Sequence, residues 1–252
     1  MDYVQITDKQ RQEMLRTVGA ASIDDLLRQV PDAYRLTGPL DLPAAMDEMT
    51  LRRHLAALAA QNHTAKVCFL GAGAYDHFIP AVVDALAMKG EFVTAYTPYQ
   101  AEASQGALQA FFEFQTMVCQ LTAMDVANAS LYEGATALAE AVLMALNITG
   151  KREVLVSRGV HPHYRQVLRT YLSDLPAEYI ELPLKGCATD TQAIEEEMEA
   201  DTAAVVVQSP NFLGVVEGVD TIAKFAHANE SLCIQAFNPL SLGILKRPGE
   251  MD

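Results

Sequence analysis

The sequence predicts an α/β domain built on a largely parallel sheet and led by a helical arm. Two observations carry that prediction. From Lys66 onward short apolar runs alternate with amphipathic ones, whereas residues 1–65 show helical periodicity and no strand patterning. A third sets the scale: 252 residues with 50% hydrophobic content bury a substantial core, in one large domain or one domain plus an arm.

Residues 1–65 are therefore taken as a helical N-terminal arm and 66–252 as a partial α/β large domain. In the arm, "ASIDDLLRQVP" reads as a short helix with Ser22 as N-cap and Pro31 as its end. "YRLTGPLDLP" is an extended connector, and "AAMDEMTLRRHLAALAAQN" is a second helix. Such a segment makes no core of its own and lies across something larger.

In the second part the candidate strands are 67–70, 126–130, 153–157, 178–182, 203–208 and 232–237. The clearest helix runs from Ser104, its predicted cap, to about Thr122. Phe111, Phe114, Val118 and Leu121 follow a spacing that predicts one buried stripe. Further helices are predicted at about 134–147, 162–173, 190–200 and 219–229. "LSLGILKRPGEMD" leaves a strand and a loop without a covering helix, so the sequence reads as part of a longer protein.

A net charge of −14 and a pI near 4.8 exclude a broad electrostatic grip on nucleic acid or anionic lipid. Cys68, Cys119, Cys187 and Cys233 are scattered without a CxxC pair and read as reduced thiols, not as a zinc site or a disulfide framework. "MDYVQITDKQ" lacks the features of a secretory signal, and no run approaches the roughly 18 apolar residues of a membrane span. The expectation is a soluble, cytoplasmic protein.

Several stretches carry candidate chemistry. In "FLGAGAYDHFIP" Gly71 and Gly73 evoke a dinucleotide-binding turn, but Asp76 stands where that fingerprint needs its third glycine, so a turn with Asp76 or a neighbour capping the next helix is the better reading. "LYEGATALAEAVLMAL" places Gly134, Ala135 and Thr136 at a helix start, where free amides attract an anion. Glu133 adds a negative charge beside that position, and a glycine-led helix start also serves packing alone.

"SRGVHPHYRQVL" brings His161 and His163 at i and i+2, which share no helix face, so a metal site is not expected. One imidazole could stack on a flat ligand or cap the helix that Pro162 opens. "VVVQSPNFLGVVEG" puts Gln208, Ser209 and Asn211 at the carboxyl end of a strand, where open α/β sheets place ligands. "EFVTAYTPYQAEASQG" concentrates hydroxyl and amide groups on Thr94, Tyr96, Thr97, Tyr99 and Gln100 beyond what a helix-entry turn at Pro98 requires.

Together "FLGAGAYDHFIPAVVDAL", "TAYTPYQAEASQGALQAFFEFQTMVCQLTAMDVANASLYEGATALAEA", "VHPHYRQVLRTY" and "VVVQSPNFLGVVEG" closely resemble the P-protein family of the glycine cleavage system, in the form of subunit 1, the α subunit, of the two-subunit glycine decarboxylase. The resemblance implies the pyridoxal-phosphate-dependent transferase-like fold type I, with a mainly parallel sheet that is incomplete at the C-terminus, and an α2β2 assembly with subunit 2. It implies an enzyme active only in that pair: glycine is decarboxylated and its aminomethyl group passes to the lipoyl group of H-protein, with the cofactor as electron sink.

A pyridoxal enzyme needs a Schiff-base lysine and an acid beside the ring nitrogen. The strand that should carry the acid reads "CIQAFNPLSLG", with Ala236 and Asn238, and neither Lys224 nor Lys246 lies in a family lysine motif. The resemblance therefore implies pyridoxal phosphate bound by the partner subunit 2 and no catalytic residue in this chain alone. Gly134, Ala135, Thr136 and His161 are then a degenerate cofactor site, and Thr94, Tyr96, Thr97, Tyr99 and Gln100 help form the glycine site. The family's subunit 1 continues past "PGE". The alternative is a truncated, non-catalytic pseudoenzyme or assembly module of the same fold.

Overall fold

The computed structural model describes residues 5–36, 38–63, 67–94 and 97–251, in two compact units that divide between Cys68 and Phe69. The first unit holds helices α1 (Asp8–Val18), α2 (Ile23–Leu26) and α3 (Glu48–Ala59), and none of them buries a residue. Each starts on a side-chain cap: Thr7 in a reciprocal box with Gln10, Ser22 on the Asp25 amide and Asp47 on the Thr50 amide. These caps satisfy helix-end donors in segments too short to persist on propensity alone.

The second unit contains α4 (Ala81–Ala87), α5 (Gly90–Val93), α6 (Gln105–Thr122), α7 (Gly134–Thr149), α8 (Pro162–Leu172), α9 (Thr191–Glu197) and α10 (Val219–Ala228). Its strands are β1 (Glu153–Ser157), β2 (Glu178–Leu182), β3 (Leu184–Lys185), β4 (Ala188–Thr189), β5 (Thr202–Gln208) and β6 (Leu232–Ala236). β2, β1, β5 and β6 pair in that order, all parallel, and β3 with β4 forms a small antiparallel hairpin.

Alternation along the strands builds three layers. Val154 and Val156 of β1, with Ala204 and Val206 of β5, pack against Leu138, Ala139 and Val142 of α7 and Leu168 of α8. Leu155, Val205 and Val207 point the other way, against Ile194 of α9 and Val219, Ile222 and Ala226 of α10. Each fully buried valine or leucine contributes about 1.5 to 3 kcal/mol, so the two faces of these strands hold the sheet in place.

Four expectations are corrected. Residues 67–70 and 126–130 form no strand: among the described residues no neighbouring strand takes their backbone hydrogen bonds, and the chain at 71–74 makes only a tight turn closed by an isolated bridge between Gly71 and Ala74. Neither Asp76 nor a neighbour caps α4, which begins at Ala81 with Pro80 at its N-cap and no side-chain capping bond. Ser104 occupies the N-cap of α6 but its side chain makes no capping bond. The stripe on α6 is not buried, since Phe111, Phe114 and Leu121 are exposed and Phe112 beside them is 67% exposed. An apolar stripe shows that a helix is made to be covered, and among the described residues nothing buries this one.

Candidate functional site

The carboxyl ends of β5 and β6 open onto a cleft of about 940 Å³, and three of the stretches singled out above meet there, those around Gly71, His161 and Gln208. Its walls come from Gly71–Gly73, Tyr75 and His77 on one side, His161 and Tyr164 at the start of α8, and the loop from Pro210 to Gly214. Gln208 and Ala236, the last residues of β5 and β6, form its base with Asn238.

His161 ties three of these segments together. Its Nδ1 accepts the His163 amide at 3.1 Å, which makes it the N-cap of α8, and its Nε2 lies 3.2 Å from the Ala72 carbonyl oxygen. One nitrogen accepting and the other facing a carbonyl describes the neutral ring with its proton on Nε2. The backbone amide of His161 donates to Gln208 Oε1 at 2.9 Å. The ring packs on Tyr164 at 4.9 Å between centroids and edge-on to Phe212 at 4.9 Å. The capping role expected of one of these histidines is taken by His161.

At α7 the Glu133 carboxylate is the N-cap. It accepts the Ala135 amide at 2.6 Å and the Thr136 amide at 2.8 Å. The Thr136 hydroxyl, then the amides of Thr136 and Ala135, hold this carboxyl below the usual carboxylate range. Gly134 has a steric reason to be glycine: a Cβ there would lie 2.3 Å from the Tyr164 hydroxyl oxygen.

The remaining candidates lie elsewhere. Tyr96 is outside the described residues. The Thr94 hydroxyl donates to the Gly90 carbonyl at the end of α5. Thr97 accepts the Tyr99 amide at 2.8 Å, and Gln100 accepts the Ser104 amide at 3.0 Å, both through backbone oxygens. Thr97, Tyr99 and Gln100 are exposed and none of them lines the cleft.

Sequence reasoning missed the anchor of the 210–214 loop. Glu217, 7% exposed, accepts from the Thr189 amide at 3.0 Å, the Thr189 hydroxyl at 3.0 Å and Asn211 Nδ2 at 2.8 Å. Ser157 joins through the Thr189 hydroxyl at 2.7 Å, and Ser209 accepts the Glu217 amide at 3.1 Å. Asn211 Oδ1 then takes the amides of Leu213 and Val215 and so shapes the loop itself. The available signal was an acid closing the apolar run "FLGVVE", where a carboxylate survives only with partners.

The donor set does not fit pyridoxal phosphate. No lysine and no carboxylate lines the cleft among the described residues, and Lys224 and Lys246 are exposed elsewhere on the unit. β6 ends in Ala236, followed by Asn238, whose Oδ1 accepts the Leu240 amide at 3.0 Å. The amides that would hold a phosphate at α7 are taken by Glu133.

A three-layer α/β unit with a parallel sheet and a cleft at its carboxyl edge is the architecture of the pyridoxal-phosphate-dependent transferase-like class. A Burkholderia pseudomallei sphingosine-1-phosphate lyase shares the fold, with a TM-score of 0.58 at 12% identity over 82% of this chain and 50% of that one. The glycine cleavage system P-protein family model matches residues 1–252, and the chain belongs to that family. A Geobacillus kaustophilus protein named "Probable glycine dehydrogenase (decarboxylating) subunit 1" is 54% identical over 98% of this chain and 56% of its own length. A crystal structure of glycine decarboxylase (P-protein) of the glycine cleavage system, in inhibitor-bound form, superposes with a TM-score of 0.88 at 50% identity, over 100% of this chain and 56% of that one. The chain thus spans about half the length of the relatives it matches.

Proposed function

We propose that the chain is part of subunit 1 of glycine decarboxylase, active only with subunit 2, and that it helps complete the site where glycine is decarboxylated and its aminomethyl group passed to the lipoyl group of H-protein. The observation that carries this reading is the 54% identity, along almost the whole chain, to a protein named as that subunit. The cleft supports the division of labour, because among the described residues its lining offers neither a Schiff-base lysine nor an acid.

The partner subunit then holds the pyridoxal phosphate in a cytoplasmic α2β2 complex. Tyr96, Thr97, Tyr99 and Gln100 serve the glycine carboxylate as neutral donors, Thr94 belongs to the same glycine site with its hydroxyl donated to the Gly90 carbonyl, and the exposed apolar side of α6 belongs to the assembly surface. No described helix is long and apolar enough to cross a membrane. Co-expression of the full-length protein with its subunit 2, followed by glycine-dependent exchange of labelled bicarbonate, tests the reading. Exchange only in the pair supports it; a purified pair that forms but exchanges no label counts against it.

A further inference from the structure

We infer that Arg158 and Arg169, gathered around Glu181 at the edge of the sheet, form a docking site for an acidic segment of a partner protein. Neither arginine lines the cleft at the ends of β5 and β6.

The fold brings three arginines to one surface. Arg165 and Arg169 stand one turn apart on α8 and so share a face, and Arg158 directly follows β1. All three reach Glu181 of β2: Arg158 Nε bonds one carboxylate oxygen at 2.8 Å, while Arg165 at 2.6 Å and Arg169 bond the other. β2 is the last strand on its side of the sheet, so among the described residues no strand lies beyond the cluster.

One arginine is enough to neutralise one carboxylate. Arg165, the most buried of the three, does so and also donates through Nε to the Val160 carbonyl at 3.1 Å, which makes it the structural member. The side chains of Arg158 and Arg169 are 58% and 46% exposed, where an ion pair adds little stability, and they bring like charges together. Arg158 engages only its Nε, and its two terminal nitrogens bond no described residue. Arg169 is held over the Tyr179 ring, 4.5 Å from its centroid. Three cations around one carboxylate thus leave an excess of positive charge and unused planar donors, the geometry that binds further carboxylates.

The scale of the patch selects the partner. The chain has a net charge of −14, whereas a nucleic-acid backbone or an anionic membrane needs a broad basic surface. A surplus this local suits contact with a few carboxylates, because at physiological salt exposed charges farther apart than about 8 Å are largely screened. An acidic polypeptide segment meets that requirement.

The test uses the full-length protein with subunit 2 and follows a fluorescent oligoglutamate peptide by anisotropy, with melting curves for every variant. The wild type is expected to bind the peptide, less tightly as salt is raised. R158Q/R169Q should bind it at least about tenfold more weakly at a nearly unchanged melting temperature. R158K/R169K keeps both charges and should recover most of the binding. If R158Q/R169Q fails to assemble, R158Q decides, because Glu181 then keeps Arg165 and Arg169. No binding by the wild type, equal binding by the wild type and the glutamine variants, or arginine-dependent binding of anionic phospholipid vesicles without binding of the peptide overturns the inference.

Discussion

Gly134 and Tyr164 are in contact at the start of α7, with room between them for no more than a hydrogen: a Cβ on Gly134 would lie 2.3 Å from the Tyr164 hydroxyl oxygen and 2.7 Å from Cζ. The ring cannot swing away freely, because it packs on His161, which is fixed as the cap of α8. Gly134→Ala is therefore expected to destabilise the protein by about 1 to 3 kcal/mol through overpacking. Urea denaturation of G134A, Y164F and the double variant checks this. The double variant should be more stable than the sum of the single changes, since the hydroxyl is the nearest of the clashing atoms.

The ion cluster on β2 gives a pH dependence with a definite sign. Burial pushes the Glu181 carboxyl up, but hydrogen bonds and charges from Arg158, Arg165 and Arg169 outweigh it and leave the group below its ordinary value of 4.5. Its contribution to stability is present above the unfolded value and is lost as pH falls through the folded one. Glu181→Gln should lower stability at neutral pH and flatten the acid-side decline. Denaturation curves from neutral pH down to about pH 3, below the ordinary carboxylate range, measure both effects.

Glu153 works in the opposite direction. Burial, with the neighbouring charges of Glu199, Glu178 and Asp201, raises its carboxyl above 4.5 despite the hydrogen bond from Thr202. Its charge therefore costs stability, and that cost appears as pH rises through the raised value. Glu153→Gln keeps an oxygen for the Thr202 hydroxyl and should stabilise the protein at neutral pH while changing little at low pH. A lower melting temperature for E153Q at neutral pH would contradict this account.

Most of the fold was legible in the sequence because parallel strands buried on both faces must read as continuous apolar runs. "VLV" in β1 and "AAVVV" in β5 do so, and they form the centre of the sheet. The apolar runs at 67–70 and 126–130 misled for the complementary reason: a strand exists only where another backbone takes its hydrogen bonds, and that neighbour is a tertiary fact with no local signature. The stripe on α6 was likewise read correctly as apolar and wrongly as buried, since periodicity reports the need for a partner and not its presence.

The cleft was legible in part. Its segments are the glycine turn, the histidine pair and the polar end of β5, each recognised by residue type, but their convergence on His161 follows from the strand order. The Glu217 network was hidden because its donor Thr189 comes from the β3–β4 hairpin, 28 residues before Glu217 in sequence, and nothing local to Asn211 and Glu217 announces that partner.

Tyr99 is 87% exposed, a large apolar ring in open solvent beside a proline. If it faces the glycine site in the assembled enzyme, Tyr99→Phe should leave association and melting temperature intact and lower kcat/KM for glycine by roughly ten- to a hundredfold, the value of a hydrogen bond to a charged substrate. If the segment serves only as the entry to α6, Pro98→Ala is the more damaging change and Y99F leaves the kinetics alone. Steady-state kinetics of reconstituted complexes separate the two.

The division of the site between two chains is tested most directly by finding where the cofactor is attached. Borohydride reduction of the full-length complex in pyridoxal phosphate, followed by peptide mapping of both subunits, should place one phosphopyridoxyl-lysine on subunit 2 and none on this chain. A stoichiometric phosphopyridoxyl group on Lys224, Lys246 or any other lysine of this chain would contradict the account.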